Sequence, residues 1–177
     1  MDEKTLFQIF NIPRESFTKD LLKSSYYSII KNVHPDKMAA SAEGREEAAQ
    51  FINKAYKTLS NDYVRSIYEY SLDNMRNLVK RDLPQGIYGD KKITVLDLEK
   101  ERIGCNKGLV STEFLDEILG LEDKIESVHG EELEEVEGLI KKEIEKCAEN
   151  KKDVKALARW KYYDRLINII LQKKMIE

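Results

Sequence analysis

The chain has 177 residues and a formal net charge of −3, and 36% of its residues are charged, whereas the average globular protein has about 25%. This length allows one medium domain or two small ones, and the high charge with few glycines and prolines favours helical bundles with long solvated faces. The negative balance argues against general nucleic-acid binding, because neutralising phosphates needs a concentrated basic surface.

Four helices are predicted in the first part of the chain. The first spans Thr5 to Phe10, Pro13 interrupts the segment that follows, and Thr18 is a plausible N-cap for the second helix. A fourth helix starts at Asn61-Asp62. The second and third helices each carry an apolar stripe at helical spacing, formed by Leu22, Tyr26, Ile29 and Val33 in the second and by Ala48, Ile52, Ala55 and Leu59 in the third.

The most specific short motif is His34-Pro35-Asp36-Lys37, between the second and third helices. Proline cannot continue a helix, so the pattern predicts two antiparallel helices joined by an exposed loop from about His34 to Glu43. A general acid/base pair would need a substrate pocket and usually a third orienting group, and a metal site would need more ligands nearby. For the tripeptide alone, an ordinary helix-helix turn is the default interpretation.

From Asp73 to Val110 the periodicity fades and glycine and proline interrupt the pattern. We expect a linker with one short extended piece, Lys92 to Leu98. The length of this linker is unusual for an inert connection and suggests some local structure.

A three-helix bundle is predicted after the linker. Its first helix starts at Ser111 or Thr112. The second runs from Glu131 to about Asn150, and the third runs from about Asp153 to Met175. Short connections make neighbouring helices antiparallel. The stripe of the first helix consists of Phe114, Ile118, Leu121, Ile125 and Val128.

Three apolar residues of the bundle lie outside these stripes. Leu115 and Leu119 are roughly 100 to 140° from the centre of the Phe114 stripe, and Tyr162 is roughly 110° from the stripe centred near Tyr163. Such residues predict an exposed apolar patch, which usually marks a partner site. The alternative is that the linker or the first domain covers them.

The first part of the chain resembles the J-domain of DnaJ-type co-chaperones. The resemblance is carried by the His-Pro-Asp turn and by its flanking segments Thr5 to Pro13, Tyr26 to Val33, Ile52 to Ser60 and Arg65 to Tyr68. It implies contact with a DnaK-type chaperone, and stimulation of that chaperone's ATPase, through His34, Pro35, Asp36 and Lys37. It also implies that Lys19, Lys23 and Lys31 are steering charges toward an acidic surface of the chaperone; an ordinary solvated face is the alternative.

The bundle extends the resemblance to the HscB family of iron–sulfur cluster co-chaperones. The matching residues are Phe114-Leu115-x-Glu117-x-Leu119 and Tyr162-Tyr163-Asp164-Arg165-Leu166. In that family the bundle binds the IscU-type scaffold on which iron–sulfur clusters are assembled, which implies this role for Leu115, Leu119 and Tyr162. The chain departs from the family at Asp116, Gly120 and Glu122, where methionine, glutamate and arginine are frequent.

The resemblance thus implies a two-ended, all-α adaptor that is not an enzyme. We expect a J-domain at residues 1–76, a linker with room for a short structured insertion at 77–110, and the HscB-like three-helix bundle at 111–177. No catalytic residue, metal site or stably bound cofactor is expected, because the chaperone hydrolyses ATP and the scaffold carries the cluster. Two alternatives stay open, a J-domain co-chaperone for a different client and a helical adaptor whose turn is incidental.

The expected environment is that of a soluble protein that is not secreted. No run approaches the roughly 18 to 20 apolar residues of a membrane span, and the N-terminus resembles neither a secretory signal nor a transit peptide. Two distant cysteines, Cys105 and Cys147, fit a reducing compartment. The resemblance implies a mitochondrion or related organelle in a eukaryote and the cytoplasm in a bacterium.

Overall fold

A computed structural model describes residues 3–33, 42–84, 91–97 and 108–176. The chain divides into two compact units, Met1–Leu98 and Glu99–Glu177. Within the described residues there are seven α-helices and one small sheet, so the predicted all-α class, a J-domain hairpin followed by a helical bundle, is confirmed. The sheet is an addition that the sequence patterns did not predict as a whole.

The first unit contains four helices and a short 3-10 turn. Threonine and asparagine side chains begin three of the helices: Thr5 caps the first, Thr18 Oγ1 accepts the Leu21 N–H at 3.1 Å, and Asn61 Oδ1 accepts the Val64 N–H at 3.0 Å. The helices are α1 (Leu6–Ile9), α2 (Lys19–Val33), α3 (Ala42–Ser60) and α4 (Asp62–Asn74), with the 3-10 turn at Arg14–Ser16. The predicted cap at Thr18 and the predicted helix start at Asn61-Asp62 are confirmed.

A three-stranded sheet completes the first unit. Its strands are β1 (Glu3–Thr5), β2 (Leu78–Asp82) and β3 (Lys92–Leu96), in the order β1-β3-β2. β3 pairs in parallel with β1 and antiparallel with β2. β3 lies within the extended piece predicted at Lys92 to Leu98, whereas β1 and β2 were not predicted. Part of the sequence interpreted as a linker therefore belongs to the first compact unit.

One apolar core joins the helices of the first unit to the sheet. The phenol of Tyr68, fully buried on α4, donates to the Thr94 carbonyl of β3 at 2.7 Å and accepts the Leu6 N–H of α1 at 3.0 Å. The buried core residues are Leu6, Phe7, Ile9, Phe10, Ile12, Leu22, Ile52, Ala55, Leu59, Tyr68, Leu83 and Ile93. Because Leu83 and Ile93 lie beyond α4, the core continues past the four helices.

The second unit consists of α5 (Thr112–Ser127), α6 (Gly130–Glu149) and α7 (Val154–Ile176). Ser111 caps α5 by accepting the Phe114 N–H at 3.1 Å, as one of the two predicted caps. Phe114 contacts Tyr162 near the start of α5, and Ile125 receives a hydrogen bond from Lys173 near its end. Helices α5 and α7 are therefore parallel, and α6 returns between them.

The buried residues of α5 all belong to its predicted stripe, and α6 and α7 bury apolar residues of their own in the same bundle. Phe114, Ile118 and Ile125 are buried on α5. Their buried partners are Leu133, Val136, Ile140 and Cys147 on α6 and Leu157, Ala158, Trp160, Tyr163, Leu166 and Ile170 on α7. Cys147 of α6 is one of these buried core residues, and desolvation by burial raises the pKa of its thiol.

Among the residues that the structure describes, no helix is both long enough and apolar enough to cross a membrane.

Candidate partner-binding sites

The hairpin of α2 and α3 is held by its apolar stripes and by one polar link. Leu22 and Val33 of α2 are buried, and the Tyr26 hydroxyl donates to Asn53 Oδ1 of α3 at 2.6 Å. The rings of Tyr26 and Tyr56 lie 4.5 Å apart. These contacts fix two antiparallel helices, and α2 ends at the residue before the His-Pro-Asp motif.

The motif itself lies outside the described residues. His34, Pro35, Asp36 and Lys37 fall between Val33, where α2 ends, and Ala42, where α3 begins. The structure thus gives the two helix ends that the motif connects, and the role of these four residues stays a prediction.

The three predicted steering lysines all lie on the exposed side of α2, the second four positions after the first and the third eight positions after the second. Lys23 and Lys31 are exposed. Lys19 is also exposed, but its Nζ forms an ion pair with Asp62 Oδ2 of α4 at 2.8 Å. The exposed Tyr27 lies between Lys23 and Lys31 on this face.

Asp62 ties the start of α2 to the start of α4. Partial burial raises the pKa of its carboxyl, but hydrogen bonds from Lys19 and Arg65 outweigh that effect and lower the pKa below the ordinary value. Asp62 is therefore ionised at neutral pH and offsets the charge of Lys19. Since an exposed ion pair contributes only about 0 to 1 kcal/mol, Lys19 can exchange this partner for another at small cost.

The predicted apolar patch of the second unit consists of Leu115 and Leu119 on α5 and Tyr162 on α7. Leu115 is 36% exposed and Leu119 is 58% exposed, so neither belongs to the core. Tyr162 is half-buried. We call these three residues the client patch, and their binding role stays a prediction.

Phe114 holds the tyrosine of the client patch in place. Its buried ring meets Tyr162 edge-on, with centroids 5.7 Å apart, and meets Tyr163 in the same way at 5.6 Å. Such edge-to-face pairs contribute about 0.5 to 1.5 kcal/mol beyond the apolar area they bury. The patch residue on α7 is thus fixed relative to α5 by a packed aromatic cluster.

Charged side chains border the client patch. The Arg165 guanidinium of α7 donates a short hydrogen bond to Glu122 Oε2 of α5. Burial raises the pKa of the Tyr163 hydroxyl to about 12, and desolvation also raises the pKa of the neighbouring Asp164 carboxyl. A Cβ built on Gly120 meets nothing within 4 Å, so a larger side chain fits there without a clash.

A cavity on another face of the bundle, of about 480 Å³, is lined by Leu121, Leu139 and Tyr163 among others. Leu139 is 54% exposed there. Within the described ranges, no group of three or more His, Cys, Asp or Glu side chains is placed to hold a metal ion.

Arg159 is a candidate site residue that the sequence patterns did not single out. Its guanidinium carbon lies 5.6 Å from the centroid of the Phe114 ring. A signal was present, because Arg159 precedes Tyr162 by three residues and such residues share a helix face. Its aromatic partner on another helix, however, becomes visible only when the bundle is assembled.

Comparison with known proteins finds a family match within the first unit. The DnaJ domain family matches residues 5–69. The "DnaJ homolog dnj-2" of Caenorhabditis elegans is 31% identical over 70 residues, which are 38% of this chain and 21% of that protein. The family match covers the hairpin and the His-Pro-Asp motif.

Two further relatives are named as HscB co-chaperones. The "Co-chaperone protein HscB homolog" of Colwellia psychrerythraea is 46% identical over 68 residues, 35% of this chain and 38% of that protein. The "Co-chaperone protein HscB" of Buchnera aphidicola is 26% identical over 181 aligned positions, which cover 97% of this chain and 88% of that protein. The second match includes the bundle and the client patch.

Proposed function

Since the chain belongs to the HscB family of J-domain co-chaperones, we propose that it delivers an IscU-type iron–sulfur scaffold protein to a DnaK-type chaperone of the heat-shock protein 70 class. The bundle captures the scaffold, and the J-domain stimulates the ATPase of the chaperone. ATP hydrolysis is the chaperone's reaction, and the iron–sulfur cluster is cargo on the scaffold. In this proposal the protein acts in a mitochondrion or related organelle in a eukaryote and in the cytoplasm in a bacterium.

The observation that carries the proposal is the client patch. Leu115 and Leu119 are exposed on α5, and the edge-to-face contact of Phe114 fixes Tyr162 beside that helix. Protein-protein hot spots have this character, because aromatic and aliphatic side chains held rigidly lose little entropy on binding. Unit two therefore supplies a preformed apolar surface in addition to the J-domain of unit one.

The chaperone end is proposed to use His34, Pro35, Asp36 and Lys37, with Lys23 and Lys31 as steering charges. Lys19 joins them by leaving Asp62, which costs little at an exposed site. Steering charges raise the rate of encounter more than they strengthen the final complex. The motif stimulates hydrolysis only by contacting one conformation of the chaperone more favourably than the other.

The scaffold contact is tested by calorimetric titration of the full chain with an IscU-type scaffold. We expect a Kd in the micromolar range or below, weakened at least about ten-fold in a variant carrying Leu115→Ala, Leu119→Ala and Tyr162→Ala, since a hot-spot residue contributes about 2 kcal/mol. Leu139→Ala is the matched control, because it removes an exposed leucine from another face of the bundle. Binding that survives in the triple variant would refute the patch assignment.

The chaperone contact is tested by the steady-state ATPase rate of a DnaK-type chaperone. His34→Gln is expected to abolish the stimulation and to leave the circular dichroism spectrum unchanged. Unchanged stimulation by the variant would refute the assignment of the motif. Stimulation without scaffold binding would instead identify a J-domain co-chaperone for a different client.

A further inference from the structure

We infer that Arg159 is a specificity-determining residue of the client patch and pairs with a carboxylate of the bound scaffold protein. The inference rests on the proposed function and adds a polar contact to an otherwise apolar site. It assigns the partner an acidic side chain opposite the N-terminal end of the patch.

The position of Arg159 supports this assignment. The residue is exposed on α7, three residues before Tyr162 and four before Tyr163, so it lies one turn from both tyrosines on the same side of the helix. Its guanidinium lies over the ring of Phe114, the residue that holds Tyr162 in place. Arg159 is thus attached to the aromatic cluster beneath the patch.

Arg159 lies outside the ion pairs of the described part of the bundle. Arg165 of the same helix is paired with Glu122, whereas Arg159 forms no ion pair with any residue in the described part of the chain. A cation–π contact leaves the edge of the guanidinium plane available, and the five N–H donors of arginine lie on that edge. An incoming acceptor can therefore bind without displacing an existing partner.

The chemistry of the site favours a carboxylate. The planar fork of a guanidinium matches the two oxygens of a carboxylate, and stacking on an aromatic ring restricts the side chain before binding. A polyphosphate or nucleic acid needs several cations together, and the acidic Asp116 and Glu117 follow Leu115 on α5. One cation at one end of an apolar patch selects a single acidic group and fixes the orientation of the partner.

The test is calorimetric titration of the full chain with a cluster-free IscU-type scaffold at several salt concentrations. Arg159→Gln is expected to weaken binding about ten-fold, the loss typical of one charge-assisted contact, and to make the dissociation constant less dependent on salt. Arg159→Met retains an unbranched chain over Phe114 and should behave like the glutamine variant. Lys155→Gln is the matched control, because it removes an equal charge one turn earlier on α7 and should leave both quantities unchanged.

The outcomes separate the inference from the proposed function. If the unaltered protein binds the scaffold and Arg159→Gln binds equally well, the inference is overturned and the proposed function stands. Weaker binding with unchanged salt dependence would show that Arg159 only supports Phe114, which also overturns the inference. If the unaltered protein does not bind the scaffold, the proposed function fails and the inference fails with it.

Discussion

Tyr68 shows how one hydroxyl can join three elements of the first unit. Its ring is fully buried and stacks near Phe7, with centroids 5.9 Å apart. Its oxygen bonds the backbones of α1 and β3 at the same time. Because a buried backbone group left without a partner costs about 1 to 3 kcal/mol, removing this oxygen affects the whole unit.

We predict that Tyr68→Phe lowers the free energy of unfolding by about 1 to 3 kcal/mol, because the Leu6 N–H and the Thr94 carbonyl lose a shared partner. Urea unfolding followed by circular dichroism measures the change. The control is Tyr27→Phe, in which an exposed ring loses the same atom. Equal stability of the Tyr68 variant and the unaltered protein would show that water replaces the hydroxyl without cost.

The same residue makes stability depend on alkaline pH. Burial raises the pKa of Tyr68 to about 12, while a tyrosine in an unfolded chain has a pKa of about 10. Between these values the folded state holds more protons than the unfolded state, so stability falls as pH rises. The stability difference between the unaltered protein and Tyr68→Phe should therefore narrow above about pH 10.

Residue types and spacings predicted the exposed leucines of the client patch. They did not predict the hydrogen bonds between residues that are far apart in sequence. The angular offset of Leu115 and Leu119 follows from helix geometry alone, and both leucines are exposed as expected. The Tyr68 hydroxyl has two backbone partners far away in sequence, and no local pattern specifies such partners. The ion pair of Lys19 with Asp62 was missed for the same reason.

At the scale of elements, a side chain from another helix caps the C-terminal end of α5. The Lys173 ammonium on α7 donates to the carbonyls of Ile125, Glu126 and Val128 at 2.7, 2.9 and 2.7 Å. The last carbonyls of a helix have no partner within it, and a cation is favoured at that negative end of the dipole. Lys173 thus fastens the far end of the helix that carries Leu115 and Leu119.

We predict that Lys173→Met destabilises the second unit by about 1.5 to 3 kcal/mol, the contribution typical of hydrogen bonds to a charged group. Thermal unfolding measures the loss, and amide exchange at the end of α5 should accelerate because its carbonyls are left to water. Lys142→Met, at an exposed position of α6, controls for the lost charge. A stable variant with unchanged exchange would mean that the three carbonyls do not depend on Lys173.

The sequence predicted helices well and the sheet poorly, for a physical reason. Each long helix repeats its apolar stripe over several turns, and its cap lies within three residues of its start, as at Ser111. β1 has only three residues, and its partner Lys92–Leu96 lies near the other end of the unit. Strands this short show too little alternation, and their pairing is decided by the core they cover.

At the scale of the whole molecule, the sheet determines how much of the chain the first unit needs. Leu83 is 5% exposed and Ile93 is fully buried, and both belong to the core of the helices before them. Burial of each side chain contributes about 1.5 to 3 kcal/mol to stability. In addition, the Thr94 carbonyl accepts a hydrogen bond from the Tyr68 hydroxyl. A unit cut after α4 would lose these contributions from a total stability that is commonly only about 5 to 15 kcal/mol.

We predict that a fragment of residues 1–98 unfolds cooperatively, and that residues 1–76 alone are less stable by several kcal/mol or unfolded, about the sum of two buried side chains and one hydrogen bond. Urea unfolding of both fragments measures the difference. Ile93→Ala in the longer fragment should cost about 2 to 5 kcal/mol and so reproduce part of the loss without shortening the chain. Equal stability of the two fragments would show that the helices form their core without the sheet.

Both fragments retain the His-Pro-Asp motif, so under the proposed function their ability to stimulate a DnaK-type ATPase should follow the folded fraction at the assay temperature. Stimulation by an unfolded 1–76 fragment would separate the motif from the fold that presents it.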